Sequence, residues 1–163
     1  MAPIRIDAGH FSPDTLAFIE LLASRRVRYL IVGGEAVILH GHVRLTGDVD
    51  VFFSRDPDNI ERLYSALDAF WDGSIPGIAS SDDFTPEGMV VQFGVPPNRI
   101  DLVNAIDGVS FEEAWPERVE AVIVGEVREI PVTFIGLDAL IQNKRASAGP
   151  RDLDDLSYLI RDT

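Results

Sequence analysis

The feature that most constrains this chain is an apolar segment that begins with two alternating carboxylates, in the run "RLTGDVDVFF" from Arg44 to Phe53. Alternate side chains of a β-strand share one face, so Asp48 and Asp50 are expected to point the same way. Two adjacent like charges are unfavourable unless a positive group lies between them. The pattern therefore predicts either a paired-carboxylate site or a solvated strand start with two acidic residues.

A divalent cation is the simplest positive group for such a pair. Magnesium binds one or two carboxylates, keeps several waters and shares its remaining positions with substrate phosphates. Upstream, the apolar stretch "LIV" predicts a buried strand over Tyr29 to Val32, which ends at Gly33 and Gly34 before a short helix. Glycines there allow backbone N–H groups to approach an anion, although a Gly-Gly pair alone indicates only a tight turn. Together the two elements predict a triphosphate site beside a metal site.

A third carboxylate would complete a two-metal site. Asp101 is the best candidate, because it lies between Ile100 and Leu102 in the apolar stretch "NRIDLVN". Buried aspartates are rare unless they are paired or bound to metal. The alternative is a residue at a strand edge that faces water.

The order of elements predicts one α/β (α+β) domain built on a mixed β-sheet flanked by helices. Residues 1–163 are long enough for one such domain, with a core of about 27–135 and C-terminal helices over about 136–162. Helices are expected in "SPDTLAFIELLASRRV", "DPDNIERLYSALDAF" and "GLDALIQNKRASA", with a short one over Ser110 to Trp115. The stretch "EAVIVGEVREIPVTFI" predicts two strands that turn near Gly125 and Glu126.

Composition narrows the class of protein. No apolar run approaches the roughly 18 residues that a membrane helix needs, and the N-terminus has no apolar signal core. The absence of cysteine excludes disulfides and thiolate metal sites, and it favours a cytoplasmic location. The net charge of −13 argues against broad non-specific nucleic-acid binding, while recognition of one local feature stays open.

These motifs resemble the nucleotidyltransferases of the DNA polymerase β superfamily. Their signature is an apolar residue, Gly-Gly or Gly-Ser, some nine to thirteen residues, and Asp-x-Asp or Asp-x-Glu between apolar residues. Here thirteen residues separate Gly34 from Asp48. The chain is more closely similar to small bacterial proteins related to the AbiEii toxins, which carry Arg-x-Thr-x-Asp-x-Asp, matched by Arg44 and Thr46. Their final helices match "LDALIQNKRASAGPRDLDDLSYL", and the resemblance covers about Val27 to Leu159.

The resemblance implies a nucleotidyltransferase-like fold with a C-terminal helical segment. It also implies transfer of a nucleoside monophosphate from a nucleoside triphosphate to a hydroxyl of an RNA end such as tRNA, a protein or a small molecule. A toxin–antitoxin partner protein encoded nearby is a further expectation.

The resemblance assigns roles to individual residues. Asp48 and Asp50 would hold Mg²⁺ or Mn²⁺, and Asp101 would bind a second ion and help to activate the acceptor hydroxyl. The implied nucleotide-binding residues are Gly33, Gly34, Arg44, Thr46, Lys144 and Arg145. The two basic residues near the end of their helix could instead complement its dipole.

Other residues carry weaker expectations. Glu35 would bring negative charge near the triphosphate unless its side chain points away. His40 and His42 together with Asp48 could form a zinc site. Arg44 could neutralise the aspartates in the metal-free state. The acidic run 152–155 is expected to be a solvated helix face.

Three alternative functions remain. Glycosyltransferases also use Asp-x-Asp, but their catalytic domains are usually longer than this chain. Haloacid-dehalogenase-type phosphatases place that motif after a long apolar strand and would leave the Gly-Gly element unexplained. A catalytically silent binding module of the same fold is the third alternative.

Overall fold

The computed structural model describes residues 2–161, which form a single seven-stranded mixed sheet with helices packed against it. The strand order is β1-β6-β7-β2-β3-β5-β4. The strands are β1 (Ile4–Asp7), β2 (Tyr29–Val32), β3 (Asp48–Phe53), β4 (Val90–Phe93), β5 (Arg99–Val103), β6 (Val119–Val124) and β7 (Glu129–Phe134). The predicted α/β architecture on a mixed sheet is confirmed.

The helices lie between these strands and after the last one. They are α1 (Pro13–Ser24), α2 (Gly33–Leu39), α3 (Pro57–Phe70), α4 (Phe111–Ala114), α5 (Leu137–Ser147) and α6 (Pro150–Arg161). Ser12 caps α1 by accepting a hydrogen bond from the Thr15 N–H, and Asp56 caps α3 in the same way from the Asp58 N–H. These caps satisfy backbone donors that have no partner within the helix.

The central strands are the most buried part of the sheet. All four residues of β2 are buried, as are the last three residues of β3. Their neighbours pack on both faces, since Phe52 meets Phe111 edge-on and Phe53 meets Phe84 in the same geometry. Strand β2 runs antiparallel to β3 and parallel to β7, and β3 runs parallel to β5. The sheet centre therefore holds the first residues of β3 in a fixed position.

Two features differ from the sequence expectations. Strand β1, which pairs in parallel with β6, was not predicted. The predicted helix over Ser110 to Trp115 is shorter, since it covers Phe111–Ala114 and continues as a 3₁₀ turn over Trp115–Glu117. The two C-terminal helices α5 and α6 form as expected and pack on each other.

None of the helices within residues 2–161 has both the length and the apolar character needed to cross a membrane.

Candidate functional site

Strand pairing brings the three predicted carboxylates together. In the parallel β3–β5 pair, Asp50 lies opposite Asp101 and Asp48 lies opposite Arg99. Opposite residues of neighbouring strands project from the same face of the sheet. Oxygens of Asp48, Asp50 and Asp101 lie within 4.8 Å of one another.

The environment of these carboxylates opposes their charge. Burial, followed by the charges of Asp48 and Asp101, raises the pKa of Asp50 from 3.8 to about 7. Burial also raises the pKa of Asp101, while the guanidinium of Arg99 acts in the opposite direction. Asp101 is only 7% exposed, so the alternative of a water-facing strand edge is wrong.

Arg99 is a residue of this cluster that the sequence did not reveal. Its Nη2 lies 2.6 Å from Asp48 Oδ2 and 3.1 Å from Asp101 Oδ2, and its Nε lies 3.0 Å from Asp101 Oδ1. The sequence contained one indication of this contact: Arg99 stands two positions before Asp101, and residues two apart in a strand share one face of the sheet. The expectation that Arg44 neutralises these aspartates is wrong, since Arg99 does so and Arg44 binds elsewhere.

The two glycines contact the carboxylate strand and the loop that precedes it. Gly33 has a φ of +64°, and a Cβ there would lie 2.1 Å from Asp50 Oδ2. A Cβ on Gly34 would lie 2.6 Å from Thr46 Oγ1 and 3.2 Å from a guanidinium nitrogen of Arg44. A side chain at either position would force Asp50 or Thr46 to shift, which is a packing reason for the motif that is independent of any ligand.

The loop before β3 is joined to the first aspartate. The Thr46 hydroxyl lies within hydrogen-bond distance of the Asp48 carbonyl oxygen at 3.2 Å and of its carboxylate at 3.3 Å. The Arg44 guanidinium makes two hydrogen bonds to the carboxylate of Asp155, at 2.9 and 3.2 Å. This bidentate contact connects the loop to helix α6.

Asp155 is the centre of a second ionic cluster. Its side chain is 0% exposed, and Lys144 Nζ lies 3.2 Å from it and 3.0 Å from Asp152. The expected solvated face over 152–155 is therefore wrong at Asp155, whose charge is compensated by Arg44 and Lys144. Arg145, in contrast, is exposed and has no ion pair within the described residues.

The predicted zinc set is not assembled. His40 Nε2 lies 2.8 Å from the carbonyl oxygen of Ile135. His42 stacks on the ring of Tyr158 and lies near Asp154 and Asp155, whose oxygens are 3.8 Å from its Nε2. The two histidines therefore belong to different surroundings, and neither joins Asp48.

A cavity of about 430 Å³ lies beside the carboxylates. Its wall includes Asp48 and Thr46 together with His10 and Glu35. Glu35 is buried, and its carboxylate lies 2.7 Å from His10 Nε2. The negative charge that was expected near the glycines is therefore paired with a histidine at the cavity wall.

The carboxylate cluster fits a hard divalent cation. Three carboxylates that share a small volume supply the oxygen ligands that Mg²⁺ and Mn²⁺ prefer. Burial is the largest cause of the raised pKa values of Asp50 and Asp101, and a bound cation would act against it by favouring the ionised carboxylates. The donor set therefore suits Mg²⁺ or Mn²⁺, with Asp48, Asp50 and Asp101 as the candidate ligands.

Comparison with known families agrees with this geometry. Residues 15–160 match the family described as "Nucleotidyltransferase of unknown function (DUF6036)", so the chain belongs to a nucleotidyltransferase family. No curated protein shows significant sequence similarity to the chain.

The first prediction concerns Gly33. Gly33→Ala should destabilise the fold by the roughly 1–2 kcal/mol of a left-handed backbone plus the cost of displacing the Asp50 carboxylate. Gly77→Ala is the matched control, since Gly77 has a φ of +74° with no atom within 4 Å of a built Cβ. Urea unfolding should show the larger loss for Gly33→Ala, and equal losses would contradict the packing role.

The second prediction concerns pH. The pKa of Asp50 is about 7 in the folded protein and 3.8 ordinarily, so the folded state binds this proton more tightly. The resulting stabilisation is complete below about pH 4 and is lost as the pH rises through 7. With metal removed by EDTA, the free energy of unfolding should fall between pH 5 and pH 8. Asp50→Asn should show a smaller fall, and parallel curves for the two proteins would refute the assignment.

The third prediction concerns Asp155. Asp155→Asn removes the buried charge that Arg44 and Lys144 share, and breaking such a pair costs about 3–5 kcal/mol. Asp154→Asn removes a neighbouring carboxylate that is 65% exposed, so it should change stability by less than about 0.5 kcal/mol. Chemical denaturation of both variants measures the difference. Similar small losses would show that the cluster contributes little to folding.

Proposed function

We propose that the protein is a metal-dependent nucleotidyltransferase that transfers a nucleoside monophosphate from a nucleoside triphosphate to a hydroxyl of an acceptor. The observation that carries this proposal is the register of β3 and β5, which sets Asp50 opposite Asp101 beside Asp48. Membership of a nucleotidyltransferase family supports it. Nucleotidyl transfer requires positioning and charge neutralisation, which is the chemistry that clustered carboxylates and a bound cation provide.

Each carboxylate has a role in this proposal. Asp48 and Asp50 would hold Mg²⁺ or Mn²⁺, and Asp101 would hold a second ion. When bound, the ions would neutralise the phosphate oxygens and lower the pKa of the acceptor hydroxyl. Because β3 and β5 are interior strands of the sheet, these carboxylates are held without the entropy cost of ordering a loop.

The remaining predicted residues lie around this cluster. Gly33 and Gly34 would present their backbone to the phosphates, and Thr46 orients Asp48 through its hydrogen bonds. Arg44 and Lys144 are both bound to Asp155, so they would support the loop before β3 and could reach phosphate only by leaving that carboxylate. Arg145 is exposed and would contact phosphate only from the surface.

The net charge of the protein bears on which acceptors it can bind. A net charge of −13 disfavours a broad RNA footprint, whereas an RNA end, a protein hydroxyl or a small molecule is compatible with it. The resemblance to AbiEii-like proteins supports a role in a toxin–antitoxin pair with a partner protein encoded nearby. A cytoplasmic location stays a prediction from the cysteine-free sequence.

The second candidate function is a catalytically silent binding module of the same fold. The observation that favours it is Arg99, whose guanidinium already compensates Asp48 and Asp101. A site whose charge is partly compensated by its own side chain has less need of a cation. The two candidates differ in whether Asp101 matters for transfer or only for local charge balance.

The fourth prediction separates these candidates. Calorimetry should show nucleotide binding that requires Mg²⁺ or Mn²⁺ and disappears in Asp48→Asn/Asp50→Asn. With α-labelled triphosphates and a cell lysate, the wild type should label an acceptor. Asp101→Asn should reduce that transfer by at least roughly a hundredfold with a small loss of nucleotide affinity, because the missing interaction acts mainly in the transition state.

Thermal melts supply the control, since Asp101→Asn should be at least as stable as the wild type once like-charge repulsion is relieved. Undiminished transfer by a folded Asp101→Asn would remove this residue from the mechanism. Binding without transfer, across all four nucleotides and a full lysate, would favour the silent module.

A further inference from the structure

Arg99 contacts the same oxygens that a metal ion would use. Its guanidinium lies 2.6 Å from Asp48 Oδ2 and within 3.1 Å of both carboxylate oxygens of Asp101. Within residues 2–161, its ion pairs are made with these two aspartates. A guanidinium and a divalent cation cannot occupy one set of oxygens at the same time, so the two must compete.

The position of Arg99 allows it to move. It begins β5 opposite Asp48, and its side chain is 30% exposed, while the side chain of Asp101 beneath it is 9% exposed. Rotation about its own side-chain bonds can therefore carry the guanidinium toward solvent without disturbing the strand. The backbone of the aspartates, in contrast, is held by the pairing of two interior strands of the sheet.

Displacing Arg99 from the carboxylates costs more free energy when a free metal ion binds than when a metal–nucleotide complex binds. A free ion would leave the guanidinium without its carboxylate partners. A metal–nucleotide complex supplies phosphate oxygens, and guanidinium binds phosphate through paired hydrogen bonds. The phosphates thus replace the partners that Arg99 loses.

We propose that Arg99 is a resident counter-ion that keeps free divalent metal out of the three-carboxylate site and transfers to phosphate when a metal–nucleotide complex binds. This inference rests on the proposed function, because it assumes that the ligand is a nucleoside triphosphate. It makes Arg99 a residue that determines which form of the metal the site accepts.

The fifth prediction uses Mn²⁺ as the probe. Electron paramagnetic resonance measures free Mn²⁺, so it gives the affinity of the protein for Mn²⁺ alone. Arg99→Gln should bind Mn²⁺ at least roughly tenfold more tightly than the wild type, since a charged hydrogen-bonding competitor has been removed. In the presence of saturating Mn²⁺, the same variant should bind nucleoside triphosphate at least roughly tenfold more weakly.

Arg5→Gln is the matched control. Arg5 lies on the edge strand β1, pairs with Glu129 at 2.8 Å and is 58% exposed, so its replacement makes the same charge change far from the carboxylates. It should leave both affinities unchanged. Arg99→Lys keeps the positive charge with fewer hydrogen bonds and should bind Mn²⁺ with an affinity between those of the wild type and Arg99→Gln.

Thermal melts provide a second readout. Mn²⁺ should raise the Tm of Arg99→Gln by more than that of the wild type, because the variant leaves three carboxylates without their counter-ion. If that variant does not fold without metal, the comparison of Arg99→Lys with the wild type decides the question.

The Mn²⁺ and nucleotide affinities together decide between the possible roles of Arg99. Equal Mn²⁺ affinity in the wild type and both Arg99 variants would overturn the inference. Tighter Mn²⁺ binding with unchanged nucleotide affinity would overturn the transfer of Arg99 to phosphate. Tighter Mn²⁺ binding by the variant, with no nucleotide bound by any protein, would support the counter-ion and overturn the proposed function.

Discussion

Repulsion among three carboxylates is the interaction around which this structure is organised. The pairing of two interior strands sets Asp50 opposite Asp101 beside Asp48, and oxygens of the three side chains lie within 4.8 Å of one another. Their charge is reduced in two ways. A proton is favoured on Asp50, whose pKa is about 7, and the guanidinium of Arg99 bridges the other two. The surroundings of the cluster follow from this need for positive charge.

The second ionic cluster differs from the first, because here two cations compensate one fully buried carboxylate. Asp155 is fully buried, and such a carboxylate is tolerated only when cations and hydrogen bonds compensate it. Arg44 and Lys144 supply that compensation from the loop before β3 and from α5. The cost of burying the charge is thereby offset by contacts that join the C-terminal helices to the loop. That loop ends at Asp48, so helix α6 helps to position a residue of the first cluster.

The sequence was sufficient to predict elements whose apolar and polar residues follow a regular period along the chain. Alternation and an apolar run were sufficient to predict β3 and the orientation of its two aspartates, and the apolar neighbours of Asp101 predicted its burial. Arg99 was missed because its role depends on which strand pairs with β3, and strand order is a long-range property. Strand β1 was missed because it has only four residues, so its alternation of apolar and charged side chains is too short to distinguish it from a loop, and its pairing with the distant β6 is a long-range property. Asp155 was misjudged because acidic residues in a helix usually face solvent, and only the packing of α6 shows otherwise.

The Gly-Gly and Asp-x-Asp motifs are one packed unit although thirteen residues separate them in the chain. Antiparallel pairing of β2 with β3 sets Val32 opposite Asp50, so the chain leaves β2 directly beside that carboxylate. A side chain at Gly33 would collide with Asp50, and one at Gly34 would collide with Thr46. The backbone at Gly33 is therefore packed directly against Asp50, and the backbone at Gly34 against the loop that precedes Asp48. Because of this contact, a side chain introduced at Gly33 would displace the Asp50 carboxylate, so the turn after β2 and the start of β3 can change only together.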